Sequence, residues 1–293
     1  MKTFAVQNLN VMKIIECPRD AMQGIHDFIP TELKTKYINK LIQVGFDTID
    51  FGSFVSPKAI PQLQDTAKVL SGLELKNDTK LLAIIANLRG AEDASKFEEI
   101  EYLGYPFSIS ETFQQRNTNR GIESAWEDVQ QIQEQCIKVD KKLVVYFSMG
   151  FGNPYGDEWN IEIVERWAEK FSNLGVNTIS LSDTIGAAKP NDIKYLFETL
   201  IDRHSEVEFG AHFHSRPDKW KEKIDAAYQA GCQRFDSTIK GIGGCPFAKD
   251  ELVGNIATEN LLMYLSKNDE PTGLNTSAFG EAVLISTKVF SYL

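Results

Sequence analysis

Eight short runs of apolar and β-branched residues, spaced about 32 residues apart, predict a single (β/α)8 (TIM) barrel with a C-terminal helical cap. Amphipathic segments fill the intervals, and glycines recur where those segments stop. The runs begin near Lys13 (KIIEC), Thr48 (TIDFGS), Leu81 (LLAIIAN), Tyr102, Leu143 (LVVYFSMG), Thr178 (TISLSDT), Val207 (VEFGAHFH) and Arg234 (RFDSTIKG). Helical periodicity is clearest from Thr31 to Val44 and from Asn160 to Leu174. Val44-Gly45-Phe46, Leu174-Gly175-Val176 and Ala230-Gly231-Cys232 each put a glycine where a left-handed turn ends a helix before the next strand. A doubly wound open sheet is the alternative, but no Gly-x-Gly-x-x-Gly follows the first strand. The run at Tyr102 is the weakest strand, because Pro106 removes a ladder donor. Gly90 to Glu101 reads as an acidic, solvated helical face. No Pro/Ser linker interrupts the chain, so residues 1–293 are expected to form one catalytic domain, with the tail after about Asn268 capping the barrel.

Composition bounds the function. With 42% hydrophobic and 25% charged residues in 293, the chain is neither disordered, collagen-like nor a disulfide-stapled scaffold. No stretch approaches the roughly 20 apolar residues of a membrane helix. Thirty-one basic against forty-one acidic residues leave a formal charge of -10, so neither nucleic acid nor an anionic membrane is an expected partner. An anionic ligand would need a local basic pocket. Cys17, Cys136, Cys232 and Cys245 form no C-x-x-C pair, which fits a reducing compartment. Met1 to Met12 lacks a secretory apolar core, so a cytoplasmic location is expected.

A barrel places its chemistry at the carboxyl ends of its strands. Polar residues fall there: Pro18-Arg19-Asp20 after strand one, Asp50 and Ser53 in strand two, Asp183-Thr184 after strand six, His212-Phe213-His214 in strand seven, and Gly241 to Pro246 after strand eight. Residues two apart on a strand share a face, so His212 and His214 can reach one point and bind a divalent cation. The same pattern equally describes two hydrogen-bonded histidines without a cation. Arg19-Asp20 alone is also the pattern of a surface ion pair or a helix cap. Asp50 in an apolar strand reads either as a structural acid or as a catalytic one, and Asp183 either as a helix cap or as a ligand contact. Cys245, between glycines and Pro246, is either a reactive thiol or an inert loop cysteine. Cys17, Cys136 and Cys232 read as small buried hydrophobes.

Together these motifs resemble the 3-hydroxy-3-methylglutaryl-CoA lyase family, a branch of the metal-dependent aldolase-like barrels. The likeness rests on EC-PRDAMQG, DFGSFVSPKAIPQ, ANLRG, SETFQQRNTNRGIES, SLSDTIG, HFH and GIGGCPFAKDELVGNIATENLL, and so spans nearly the whole chain. It implies magnesium or manganese held by Asp20, His212, His214 and Asn255, and an acyl-CoA substrate with a tertiary alcohol. Cleavage would release acetoacetate and leave an acetyl-CoA enolate. Arg19, Asp50, His212 and Cys245 would be catalytic: Arg19 stabilises the thioester oxygen, Cys245 carries a proton for the enolate, and His212 or Asp50 is the hydroxyl base. Arg19, Gln23, Asp183 and Thr184 would contact substrate, and Asp183 would also orient the ligands. Lys58 is a further local counter-charge. A homodimer is implied by likeness alone. Three positions depart from the family pattern: Ala21 replaces a glycine, Asp50 a glutamate, and Ser215 an aspartate. These changes point toward an altered 3-hydroxyacyl-CoA substrate. A Claisen-type synthase or aldolase, and a barrel that binds cation and acyl-CoA without turnover, are the competing readings.

Overall fold

The computed structural model describes residues 12–244 and 253–293. Eight parallel strands close on themselves: β1 (Lys13–Glu16), β2 (Thr48–Ser53), β3 (Lys80–Ile84), β4 (Ile100–Ser108), β5 (Lys142–Ser148), β6 (Thr178–Asp183), β7 (Glu208–Ser215) and β8 (Arg234–Ser237). Neighbours in sequence pair in register, and β8 returns to β1 through Ile14↔Phe235 and Ile15↔Asp236. Around them run α1 (Pro18–Gln23), α2 (Thr31–Val44), α3 (Thr66–Ser71), α4 (Leu88–Ala94), α5 (Glu111–Thr118), α6 (Ile122–Lys138), α7 (Ile161–Asn173), α8 (Pro190–Arg203), α9 (Trp220–Gln229), α10 (Thr258–Lys267) and α11 (Thr276–Val289). The eight strands lie where the sequence places them, and Gly45, Gly175 and Gly231 all take positive φ at helix ends. The C-terminal helix α11 packs on α2, with Phe279 edge-on to Phe46.

Two expectations are corrected. β4, expected to be the weakest strand, is the longest at nine residues. Gly104 gives its carbonyl to Ile85 of the β3 side, and Pro106, two residues on, faces that same side after β3 pairing has ended at Ile84↔Gly104. The missing donor therefore costs no ladder bond. The acidic stretch after Gly90 is not a solvated face throughout: Gly90, Ala91 and Ala94 of α4 are buried, and Ile100 already belongs to β4.

Strand alternation divides the core in two. Leu82, Ile84, Tyr102, Val144 and Tyr146 fill one side of the barrel interior. Their sequence neighbours, such as Leu81, Leu103, Val145 and Phe147, face outward and join the larger cluster under the helices. The other side of the interior is polar, with Ser180, His212, Arg234 and Asp236 all buried.

A short ninth strand, β9 (Gly254–Asn255), runs antiparallel to β7 and pairs His214 with Asn255. Its approach is anchored by Glu16 on the outer face of β1. The Glu16 carboxyl accepts the Ile239 amide at 2.8 Å and the Thr258 hydroxyl at 2.6 Å, tying together the two flanks of the glycine-rich segment.

Burial pushes the Glu16 carboxyl up to about 8, against the opposing pull of those two hydrogen bonds. A carboxyl whose pKa rises on folding keeps a proton that the unfolded chain has already released. Its contribution to stability is complete below its ordinary 4.5 and is lost as pH rises through about 8. Urea unfolding of Glu16→Gln is expected to show a flatter fall in midpoint over this window than the unsubstituted protein. An unchanged pH slope would contradict it.

Candidate active site and cation cluster

The carboxyl end of β1 turns directly into α1, with Pro18 at the first helical position, where its missing N–H is harmless. That turn holds Arg19 and Asp20 over the barrel mouth. Asp50, on the interior face of β2, accepts from Arg19 Nε at 3.0 Å and from Nη2 at 2.5 Å. The remaining terminal nitrogen, Nη1, reaches Gln23 Oε1 at 3.0 Å and Asp20 Oδ1 at 3.2 Å. Gln23 in turn donates to Asp20 Oδ1 at 2.7 Å. Burial alone would discharge such a set. The Arg19 pKa is nevertheless held above its usual value, since Asp50 and Asp20 outweigh desolvation. Asp50 is pushed up to about 6, chiefly by burial, with Arg19 opposing. It is fully buried, and its carboxylate is engaged by Arg19.

Asp20, His212 and His214 bring one donor atom each to within 4.8 Å of the others. Burial raises the Asp20 pKa, but Arg19, both imidazoles and the Asn255 amide overcome it, so Asp20 stays an ionised carboxylate. Burial and His212 lower the His214 pKa and keep that ring neutral. His214 Nδ1 lies 2.8 Å from the Thr184 carbonyl, which only accepts, so Nδ1 carries the proton and Nε2 the lone pair. That Nε2 is buried, has no hydrogen-bond partner among the described residues, and lies 4.0 Å from Asp20 Oδ2. An unpartnered imidazole lone pair beside a carboxylate is the donor arrangement a cation takes. His212 Nδ1 stands 3.0 Å from Asp236 Oδ2. Burial lowers the His212 pKa, while Asp236 and Asp20 raise it further, for a net rise. Asn255 Nδ2 donates to Asp20 Oδ2 at 2.6 Å, so β9 does deliver this residue to the cluster, although through its amide nitrogen.

Asp183 and Thr184 divide differently from expectation. Asp183 shares the outward phase of Ile179 and Leu181 and does not line the cavity. Its oxygens accept from the Ala187 and Ala188 amides at 2.8 and 3.1 Å and from Lys223 Nζ at 2.5 Å. Lys223 also donates to the Gly186 and His214 carbonyls, so this buried ion pair braces the end of β7. Thr184 does face the cavity, as do Arg19, Asp20, Gln23, His212 and His214. Cys245 lies outside the described residues; the adjoining Gly244 lines the cavity.

The cavity has a volume of about 440 Å³, and Val55, Ile60, Ile84, Pro106 and Tyr146 make its apolar wall. A larger depression, about 710 Å³, opens at the amino ends of the strands. Lys13 pairs there with Glu208 and Lys80 with Asp47, and barrel chemistry belongs at the opposite end. Sequence reasoning missed Asp236, Lys223 and Arg116. Asp236 had a readable signal, since it is an acid in the interior phase of the last strand. Lys223 had none, lying within an ordinary amphipathic helix. Arg116 lines the cavity from α5 and lies 4.6 Å over the Tyr155 ring.

With this geometry in hand, comparison with known proteins is direct. The HMGL-like family model matches residues 12–283. The chain is 33% identical over 257 residues to hydroxymethylglutaryl-CoA lyase YngG of Bacillus subtilis, covering 88% of this chain and 85% of that protein. It is 31% identical over 267 residues to a 3-hydroxy-3-isohexenylglutaryl-CoA/hydroxy-methylglutaryl-CoA lyase of Pseudomonas aeruginosa, covering 90% and 88%. Among solved structures, an HMG-CoA lyase from Acinetobacter baumannii in complex with coenzyme A and 3-methylmalate superposes with a TM-score of 0.90 at 30% identity, covering 98% of this chain and 93% of that one.

Replacing one partner of the Asp183–Lys223 pair strands a buried charge. Lys223→Met is expected to cost about 3 to 5 kcal/mol in chemical unfolding, and the double variant with Asp183→Asn is expected to recover much of it. A double variant no more stable than the single one would contradict this.

Proposed function

Because the chain belongs to the HMGL-like family of lyases, we propose that it is a divalent-cation-dependent carbon–carbon lyase. Its substrate is 3-hydroxy-3-methylglutaryl-CoA or a close 3-hydroxyacyl-CoA, and its products are acetyl-CoA and acetoacetate. The observation that carries the reading is the unpartnered His214 Nε2 facing Asp20, with His212 completing the set beside Arg19. These donors suit magnesium or manganese, which favour carboxylate oxygen and accept imidazole. Asp20, His212 and His214 would hold the ion, with Asn255 as fourth ligand once its amide oxygen is turned inward.

When bound, the cation supplies Lewis-acid stabilisation of negative charge on the substrate's tertiary oxygen. The chain's own residues do the rest. Arg19, clamped by Asp50, lines the cavity and would place its fixed positive charge where the thioester oxygen gains charge. Asp50 acts by holding Arg19. His212 lines the cavity, and with its Nδ1 on Asp236 it has one nitrogen for the hydroxyl proton. That nitrogen would be the one His212 offers either to the cation or, as general base, to the hydroxyl proton. Cys245 returns a proton to the enolate carbon. The Thr184 carbonyl and the Asp183–Lys223 pair fix His214. The whole chain acts as one catalytic barrel in the cytoplasm, and family likeness adds a homodimer.

The apolar wall supports a second reading of the acyl group. Val55, Ile60, Ile84 and Pro106 line the cavity as well as the ligand cluster does, which would suit a 3-hydroxyacyl-CoA with an alkyl branch longer than methyl. The isohexenylglutaryl-CoA activity in the name of the Pseudomonas relative accords with it.

Purified protein with magnesium or manganese is expected to release acetyl-CoA and acetoacetate from 3-hydroxy-3-methylglutaryl-CoA, and to stop on chelation. Cys245→Ala and Asp20→Ala are each expected to lower kcat by about 10²-fold or more. Cation and acyl-CoA binding without turnover would replace the lyase with a binding protein. For the second reading, kcat/KM is compared between methyl- and longer alkyl-branched substrates, and Ile84→Trp should penalise the longer one selectively.

A further inference from the structure

Beneath the upper cluster the barrel interior holds another convergence of donors. Cys17 Sγ, one nitrogen of His212 and one oxygen of Asp236 lie within 4.8 Å of one another, and all three side chains are buried. They come from the interior phase of three adjacent strands: the residue following β1, β7 and β8. The Asp236 Oδ2 atom meets His212, but Oδ1 is buried with no hydrogen-bond partner among the described residues. The Cys17 thiol makes a long 3.8 Å contact with the Ile15 carbonyl. Asp20 and Asp50 add negative charge nearby, and Arg19 and Arg234 oppose it.

We propose that Cys17, His212 and Asp236 form a second cation site, suited to a thiophilic divalent ion of the zinc class, which competes with the upper site for His212. Sulfur, imidazole and one carboxylate oxygen are three ligands of the set that tetrahedral zinc takes, with solvent as the fourth. Zinc separates its ligands by roughly 3.5 Å, so the donors need to draw together by about an ångström or less. Binding is an exchange without redox change: the Sγ–H proton leaves to solvent and a sulfur–cation bond forms. The hard upper ion has no use for a thiol, so the two sites differ in ion preference. Occupation below takes the Nδ1 lone pair beside Asp236, so the ring proton resides on Nε2 and His212 has no lone pair left for the upper site. The competition rests on the proposed upper site; the lower site does not.

The test uses the full chain and two probe ions. Cobalt(II) is expected to give a thiolate-to-metal charge-transfer band saturating at one equivalent. The band should disappear in Cys17→Ser and persist in Cys245→Ser. Asp236→Asn should weaken cobalt binding at least tenfold, and it carries the test if Cys17→Ser fails to fold. Manganese, followed by electron paramagnetic resonance, should be displaced by zinc in the unsubstituted protein and at least tenfold less readily in Cys17→Ser. A missing band, or a band that survives Cys17→Ser and is lost in Cys245→Ser, overturns the site. Failure of manganese to bind while the cobalt band is present removes the upper site and leaves the lower one standing.

Discussion

A guanidinium buried between two carboxylates at the barrel mouth is the interaction on which the site depends. Arg19 is almost fully enclosed, and in such surroundings one unpaired charge would be costly. Asp50 satisfies one edge of the guanidinium and Asp20 shares part of the other. The trio therefore keeps one uncompensated negative charge on the Asp20 side. That residual charge faces two imidazoles, one of which is held neutral with its lone pair exposed to the acid. An acidic chain thus makes a place where a small cation and an anionic substrate can meet, because the positive charge is concentrated at one fixed point.

The barrel's interior division serves the same end. Aliphatic and aromatic side chains from β3, β4 and β5 occupy one half, and polar groups from β6, β7, β8 and β2 the other. The apolar half supplies a dry wall to the cavity and raises the strength of every charge opposite. The polar half supplies the chemistry. Behind it, outward-facing Asp183 and Lys223 hold the strand end from the far side of the wall.

Much of this was legible because strand periodicity and strand ends obey simple rules. Alternation placed His212 and His214 on one face, and the barrel rule placed Arg19 and Asp20 at the mouth. The limits came where a residue's role depends on what it meets across the fold. Asp50 looked like a possible base; the guanidinium it meets lies 31 residues earlier and cannot be read from β2 itself. Asp183 looked like a ligand contact, yet its strand phase sends it outward to a lysine 40 residues later. Pro106 looked disruptive because the end of β3 pairing cannot be read from β4 itself. Asn255 was found through likeness, since a two-residue antiparallel strand leaves no periodic signal.

That small strand has a consequence for when the site comes into being. Asp20 and Asn255 touch across 235 residues, and Asn255 is set by its pairing with His214. During synthesis the amide partner emerges 235 residues after the acid. Every partial chain that stops short of Asn255 therefore carries an incomplete cluster. The last donor follows β8, the strand that closes the barrel, so the cluster is completed only after the barrel itself can close.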